Sequence, residues 1–141
     1  MSPKKILLAE DDIDDQQLFY DFLQTRTDIV LMPAAENGVH LFDSLEKIAS
    51  INDLPDLIIL DQNMPRRNGL QTLQLLKETT RYAHIPVMLY STYTDQHLIK
   101  ISSEMGAFSV APKPVTKDGY DEMINCFLKI YNCNSLSPII D

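Results

Sequence analysis

Five short runs of mostly apolar residues alternate along the chain with longer amphipathic stretches. The runs are residues 6–9, 29–32, 57–60, 87–90 and 108–111. Each has four residues, a length that suits a buried strand, and turn-forming residues bound most of them. Between and after the runs, apolar residues recur at the spacing of a helix with one buried face. The alternation predicts an α/β fold, with five parallel strands in one sheet and five helices covering both of its faces.

The length of 141 residues favours one domain with a substantial core. We therefore predict a single domain over residues 1–141. Its core spans about residues 4–131, and a polar tail at 132–141 is expected to be loosely ordered.

The chain is acidic, with a net charge of −8 and a pI near 4.7. Direct binding to nucleic acid or to an anionic membrane needs a basic face, so both are disfavoured. No apolar run approaches the ~20 residues of a membrane span, and the first one is too short for a signal peptide. Cys126 and Cys133 fall on one predicted helix, about 10.5 Å apart along its axis, too far for a disulfide. A reducing cytoplasm is the expected location.

Four of the five predicted strands end on a chemically capable side chain. The first is followed by Glu10 and Asp11, the third by Asp61, the fourth by Ser91, and the fifth is followed closely by Lys113. Because the carboxyl ends of parallel strands meet at one edge of the sheet, these side chains are expected to lie together. Three carboxylates in one place repel each other unless a cation joins them. Hard oxygen ligands select Mg²⁺, and Mg²⁺ with the lysine would balance the three negative charges.

Asp61 is the best candidate nucleophile, because a carboxylate can form an acyl phosphate without first losing a proton. Phosphoryl transfer mainly requires in-line positioning and neutralisation of the phosphoryl oxygens. Mg²⁺ and Lys113 would supply that neutralisation. Hydrogen bonds could come from the Ser91 hydroxyl and from backbone N–H groups of the loop that contains Met64.

In these segments the chain resembles the receiver domain of two-component response regulators, of the stand-alone, chemotaxis type. The matching segments, in order, are residues 6–12, 60–65 with Gly69, 86–92, and 106–107 through 113–114. The resemblance covers about residues 4–131. It implies the flavodoxin-like strand order 2-1-3-4-5.

The resemblance also implies roles for the acids. Asp61 would receive a phosphoryl group from the phosphohistidine of a partner histidine kinase. Asp11 and Asp61 would ligate Mg²⁺ directly, Asn63 would contribute its backbone carbonyl, and Glu10 would act through water.

Three further features follow from the same likeness. Ser91 occupies the position of the hydroxyl that moves on activation, and Lys113 would pair with the phosphoryl group. The bond between Lys113 and Pro114 is expected to be cis, as in the family. The chain departs from the family pattern at Val110, where receivers often carry a Tyr or Phe that rotates inward. Tyr90 or Tyr93 could compensate, and the sequence favours neither.

The remaining acids near the first strand have a simpler interpretation. Asp12, Asp14 and Asp15 lie at the start of the first helix, where negative charge complements the helix dipole. We expect them to be solvated.

The leading functional hypothesis is a phosphorylation switch. It would catalyse only the transfer of a phosphoryl group to its own Asp61 and the later hydrolysis of that group, so it is not expected to be a turnover enzyme. The signal would pass to a downstream protein or a phosphotransfer protein, through the face of the fourth helix, fifth strand and fifth helix. By family likeness a homodimer would use the same face. Two alternatives are a receiver-like scaffold that works without phosphorylation and a phosphatase with an aspartate nucleophile. The phosphatase would need a general acid or base near Asp61, and the sequence supplies no candidate.

Overall fold

The computed structural model describes residues 2–136 and contains one sheet with helices on both sides. The strands are β1 (Lys4–Ala9), β2 (Ile29–Leu31), β3 (Leu57–Asp61), β4 (Val87–Ser91) and β5 (Ser109–Pro112). The helices are α1 (Ile13–Leu23), α2 (Gly38–Glu46), α3 (Gly69–Glu78), α4 (Gln96–Glu104) and α5 (Lys117–Leu136). A short 3₁₀ helix at Ile51–Asp53 lies in the stretch before β3.

The five strands are parallel and run in the order β2-β1-β3-β4-β5, which confirms the predicted fold and strand order. The central strand β3 is buried along its whole length. A strand covered on both faces needs apolar residues at successive positions, which explains its unbroken apolar run.

Two apolar layers hold the helices on the sheet. One layer joins α1 and α5 to side chains such as Leu8, Ile59 and Met88. The other joins α2, α3 and α4 to side chains from the alternate strand positions, such as Leu7 and Leu60. The polar rim at the carboxyl ends of the strands is therefore anchored by a core on each face.

Polar caps fix where the helices begin. The side chains of Asp12, Asn37, Asn68 and Asp95 each accept a hydrogen bond from a backbone N–H in the first turn of α1, α2, α3 and α4. Such caps satisfy donors that the helix itself leaves free. Two of them, Asp12 and Asn68, also fix the loops that follow β1 and β3.

Two predictions about the chain's C-terminal part are wrong. α5 continues through Leu136, so residues 132–136 are helical and not a loose tail. They contain neither glycine nor proline, the two residues that most disfavour the interior of a helix. Residues 137–141 of the predicted tail lie outside the described residues. The expected cis bond between Lys113 and Pro114 is also wrong, because the described chain has only trans peptide bonds.

Within residues 2–136, none of the helices combines the length and the apolar character needed to cross a membrane.

Candidate functional site

The register of the sheet brings three polar side chains into one row. Ala9 of β1 pairs with Leu60 of β3, and Asp61 of β3 pairs with Tyr90 of β4. Glu10, one residue beyond Ala9, therefore lies next to Asp61. Because side chains alternate between faces, all three belong to the face that α1 and α5 cover.

The predicted acid cluster is present. Glu10, Asp11 and Asp61 each offer a carboxylate oxygen, and these oxygens lie within 4.8 Å of one another. Glu10 and Asp61 are buried, whereas Asp11 is exposed, so the cluster opens to solvent on one side. Closely spaced carboxylate oxygens with a solvent-facing side are a donor set that suits a hard divalent cation.

Lys113 reaches this cluster from the end of β5. Its Nζ lies 2.7 Å from Glu10 Oε1, 2.7 Å from Asp15 Oδ2 and 3.4 Å from Asp61 Oδ2. Burial alone would lower the pKa of the ammonium, but the contacts with Asp15 and Glu10 outweigh burial and raise the pKa of Lys113 above its ordinary value. The lysine therefore stays charged and acts as an internal counter-ion.

Glu10 is the most deeply buried acid of the cluster. Oε1 accepts a hydrogen bond of 2.8 Å from the Tyr90 hydroxyl and lies against Lys113, and Oε2 accepts one of 3.1 Å from the Asp12 N–H. Burial raises the pKa of the Glu10 carboxyl, as does the neighbouring Asp61, while Lys113 and the Asp12 N–H oppose the rise. The charged form of the Glu10 carboxyl is therefore stabilised by the ammonium and by the two hydrogen-bond donors around it.

The loop after Asp61 is held close to the end of β3. The Asn63 N–H donates to Asp61 Oδ1 at 3.1 Å, and the Gln62 side chain accepts a hydrogen bond from Leu70 N–H at the start of α3. At Gly69 an added Cβ would lie 2.9 Å from the carbonyl oxygen of Asp61, so a side chain does not fit there. The glycine allows α3 to begin directly beside the predicted acceptor.

Ser91 is buried and is bound to its own loop. Its hydroxyl donates to the Tyr93 carbonyl at 2.9 Å and accepts a hydrogen bond from the Tyr93 N–H at 3.2 Å. Val110 is half-buried against the layer that joins α2, α3 and α4. The structure also separates the two tyrosines, since Tyr90 is fully buried and Tyr93 is 82% exposed.

Two residues of the site were not predicted. Asp15 was expected to be solvated, but it forms an ion pair with Lys113 across 98 positions of sequence. Tyr90 contacts Glu10 across 80 positions. The alternation of side chains along β4 places Tyr90 on the same face as Met88, and this signal could have indicated its contact with the acids. Asp12 and Asp14 are exposed, as predicted.

Comparison with known proteins agrees with this geometry. The family model of the response regulator receiver domain matches residues 6–125. Among curated proteins, a protein-glutamate methylesterase/protein-glutamine glutaminase of Moorella thermoacetica is 33% identical over 120 residues, which are 85% of this chain and 27% of that protein. The probable C4-dicarboxylate response regulator DctR of Bacillus subtilis is 30% identical over 110 residues, covering 78% of this chain and 46% of that protein. The chain thus spans between about a quarter and a half of the length of these two relatives.

Solved structures show the same architecture. The Mn²⁺-bound form of the response regulator Rcp1 superposes with a TM-score of 0.71 at 29% identity, over 85% of this chain and 88% of that one. The chemotaxis response regulator CheY4 of Vibrio cholerae shares the fold, with a TM-score of 0.75 at 21% identity over 87% of this chain and 97% of that one. From the sheet order, the acidic rim and the match over residues 6–125, this chain belongs to the response regulator receiver domain family.

Proposed function

We propose that this receiver domain is a phosphorelay switch in which Asp61 accepts a phosphoryl group from the phosphohistidine of a partner histidine kinase. One observation carries the proposal. Asp61 lies at the end of the central strand with carboxylate oxygens of Glu10 and Asp11 within 4.8 Å and the Lys113 ammonium 3.4 Å away. Such a site can hold and neutralise a group that is rich in negative oxygens.

The chemistry at Asp61 needs no base. One carboxylate oxygen forms a bond to phosphorus, the bond between phosphorus and the donor's imidazole nitrogen breaks, and the nitrogen keeps the electron pair. The Asn63 N–H contact with Oδ1 limits rotation of the carboxylate, which supports in-line attack.

The acid cluster fits the Mg²⁺ that the family likeness implies. The three carboxylates of the cluster and that of Asp15 surround one ammonium, so the local charge is about −3 and a divalent cation would offset most of it. We propose Glu10, Asp11, Asp61 and the Asn63 carbonyl as the residues that hold it, with Glu10 acting through water. When bound, Mg²⁺ supplies electrostatic stabilisation to the oxygens of the transferring group.

Lys113 and Ser91 are proposed to respond to the phosphoryl group. The lysine would move from Glu10 and Asp15 toward the new negative oxygens, a short shift given its present 3.4 Å distance from Asp61. The Ser91 hydroxyl would leave the Tyr93 backbone and donate to the same oxygens. That exchange alters the loop before α4 and would shift the population of states on the face of α4, β5 and α5.

The proposed output is binding, either to a downstream protein or to a phosphotransfer protein, and a homodimer would form on the same face. Enzymatic turnover is not proposed, beyond self-catalysed transfer to Asp61 and hydrolysis of its acyl phosphate. The side chains of Asn63 and Tyr93, which are both exposed, would flank the approach of that water. The methylesterase activity named for longer relatives is not proposed for this chain. A single receiver domain over residues 1–141, in the cytoplasm, remains a prediction.

Labelling by acetyl phosphate tests the proposal. The wild-type chain is expected to take up label only with Mg²⁺, and Asp61→Asn is expected to abolish it. Asp14→Asn is the matched control, because it removes an exposed acid from the neighbouring first turn of α1. Persistent labelling of Asp61→Asn would reject Asp61 as the acceptor. Steady phosphate release from small phosphomonoesters would favour a phosphatase, and a failure to bind beryllofluoride with Mg²⁺ would favour a scaffold.

A further inference from the structure

A buried tyrosine hydroxyl lies beside the acid cluster, and none of the roles above uses it. Tyr90 is fully buried on β4, and its hydroxyl donates a buried hydrogen bond of 2.8 Å to Glu10 Oε1. β3 lies between β4 and β1 in the sheet. The phenol therefore crosses the strand that carries Asp61 in order to reach Glu10.

Packing alone does not call for a hydroxyl at this position. The neighbours of Tyr90 on its face include Ile59 and Met88, which are apolar. A buried hydroxyl costs free energy unless it finds a partner, so an apolar side chain would fill this space with less risk. The partner of the Tyr90 hydroxyl is Glu10, the carboxylate of the cluster that is fully shielded from solvent.

Tyr90 also contacts the counter-ion of the cluster. The Lys113 ammonium lies 5.3 Å from the centre of the Tyr90 ring, within range of a cation–π interaction. Tyr90 thus contacts Glu10 through its hydroxyl and Lys113 through its ring. Its position is fixed by the sheet, since Tyr90 pairs with Asp61 on one side and with Ala111 on the other.

The donors around Glu10 show what the hydroxyl contributes. Oε2 accepts from the Asp12 N–H, while Oε1 is shared between the Tyr90 hydroxyl and Lys113. Once Lys113 turns toward a phosphoryl group on Asp61, the Tyr90 hydroxyl is the donor left on Oε1. Without the Tyr90 hydroxyl, Oε1 would be buried with no donor and the Glu10 carboxylate would be free to rotate.

We propose that Tyr90 is a positioning residue for the acid cluster, whose hydroxyl keeps Glu10 directed toward Asp11 and Asp61 both while Lys113 shares Oε1 and after Lys113 leaves it. This inference rests on the proposed function, because it assigns to Tyr90 a role in the same site. Partners that orient the groups around a bound metal typically change its affinity by about 10- to 100-fold. Tyr90 would act on the cation only through Glu10.

Calorimetric titration of the unphosphorylated chain with Mg²⁺ tests this role without requiring activity. Tyr90→Phe keeps the ring and removes the hydroxyl, and we expect it to weaken Mg²⁺ binding by about tenfold. Tyr120→Phe is the matched control: Tyr120 is a buried tyrosine on the same face, and its hydroxyl makes no hydrogen bond within the described part of the chain. We expect that control to bind Mg²⁺ as the wild type does. Equal affinity of Tyr90→Phe and wild type would overturn the role of Tyr90.

A double-mutant cycle checks that the effect passes through Glu10. In a Glu10→Ala background the hydroxyl has lost its acceptor, so Tyr90→Phe should leave the remaining Mg²⁺ affinity unchanged. The same loss in both backgrounds would mean that Tyr90 acts by packing, and would overturn the proposal.

The wild-type chain supplies a readout that does not depend on any variant folding. A buried hydroxyl proton bound to a carboxylate exchanges slowly and can be followed by NMR. We expect the Tyr90 hydroxyl resonance to shift as Mg²⁺ is added, because Glu10 then shares its charge. A resonance that stays fixed while Mg²⁺ saturates the chain would contradict the inference. A wild-type chain that binds no Mg²⁺ would instead refute the proposed function, and with it the role of Tyr90.

Discussion

The ammonium nitrogen of Lys113 lies 2.7 Å from Glu10 and 3.4 Å from Asp61. The lysine is therefore paired more closely with the buried glutamate than with the aspartate that we propose as the acceptor. Asp15, also 2.7 Å away, completes the pairing from α1. In this state Lys113 offsets part of the negative charge of the cluster, and it remains one short movement from Asp61.

Removing the lysine should expose the repulsion among the acids. We expect Lys113→Met to lower the free energy of unfolding by about 3 kcal/mol when no divalent cation is present, because it leaves buried carboxylates without a partner. Added Mg²⁺ should restore much of the loss. Urea unfolding with and without Mg²⁺ measures both effects. Lys117→Met is the control, since its exposed pair with Asp121 is worth about 0.5 kcal/mol. A loss that Mg²⁺ does not reduce would show that Lys113 is not a counter-ion of a cation site.

The acids near β1 should differ sharply in their effect on cation binding. Asp11 belongs to the cluster of oxygens within 4.8 Å, whereas the Asp15 carboxylate pairs with the lysine and is not part of that cluster. We expect Asp11→Asn to weaken Mg²⁺ binding by at least about tenfold and Asp15→Asn to change it by much less. Calorimetric titration of the two variants provides the comparison. Similar losses in both would indicate a diffuse acidic surface in place of a defined site.

Acid stability should depend on Arg26, which links the end of α1 to α5. Its guanidinium contacts Asp28, Asp121 and Asn125. The hydrogen bond from Arg26 lowers the pKa of Asp28; Lys117 first, and then Arg26, lower that of Asp121. Carboxyls with a lowered folded-state pKa add stability above their unfolded value of about 4, and lose it as the pH falls through the folded value.

We therefore expect Arg26→Met to be less stable than wild type by about 1 kcal/mol near neutral pH, a value kept small because Asp28 is about half exposed. The difference should shrink below about pH 4, where the carboxyls take up protons in the wild type. Unfolding measured across this range tests the sign. A difference that grows on acidification would contradict it.

A buried hydroxyl on α4 should reduce stability. Ser102 is fully buried, and its Oγ has no hydrogen-bond partner among the described residues. Such a group costs about 1–3 kcal/mol, so Ser102→Ala is expected to stabilise the chain by at least about 1 kcal/mol. Ser103→Ala is the control, because it makes the same change at the next position of α4, where the side chain is exposed. Equal effects of the two changes in thermal or urea unfolding would show that helix propensity alone is responsible.

The rim of the sheet could be predicted because local patterns determine it. The apolar runs before Glu10 and Asp61 mark buried strands, and parallel strands place their carboxyl ends at one edge. The clustering of Glu10, Asp11 and Asp61 follows from that rule with no knowledge of the helices. The strand bounds shifted by a residue at β5, where Ser109–Pro112 replaces the expected 108–111.

The contacts of Lys113 could not be predicted from local patterns. Whether its ammonium meets Asp15 depends on how α1 packs on the sheet, and the two residues are 98 positions apart. An acid in the first turn of a helix is usually solvated, so the sequence favoured the wrong interpretation for Asp15. Tyr90 was identified only as one of two tyrosines that could compensate for the aromatic residue missing at Val110. Its partner Glu10 lies two strands away, beyond β3, and depends on the register of three strands.

The position of the acyl phosphate tests the central claim most directly. The intact chain is treated with acetyl phosphate and Mg²⁺, reduced with borohydride so that an aspartyl phosphate becomes homoserine, and mapped by peptide mass spectrometry. We predict homoserine at Asp61 in the Mg²⁺ sample and none after EDTA treatment. Homoserine at Asp11 or Asp14 instead, or the same yield at Asp61 without a divalent cation, would contradict an acid cluster built to receive a phosphoryl group on Asp61.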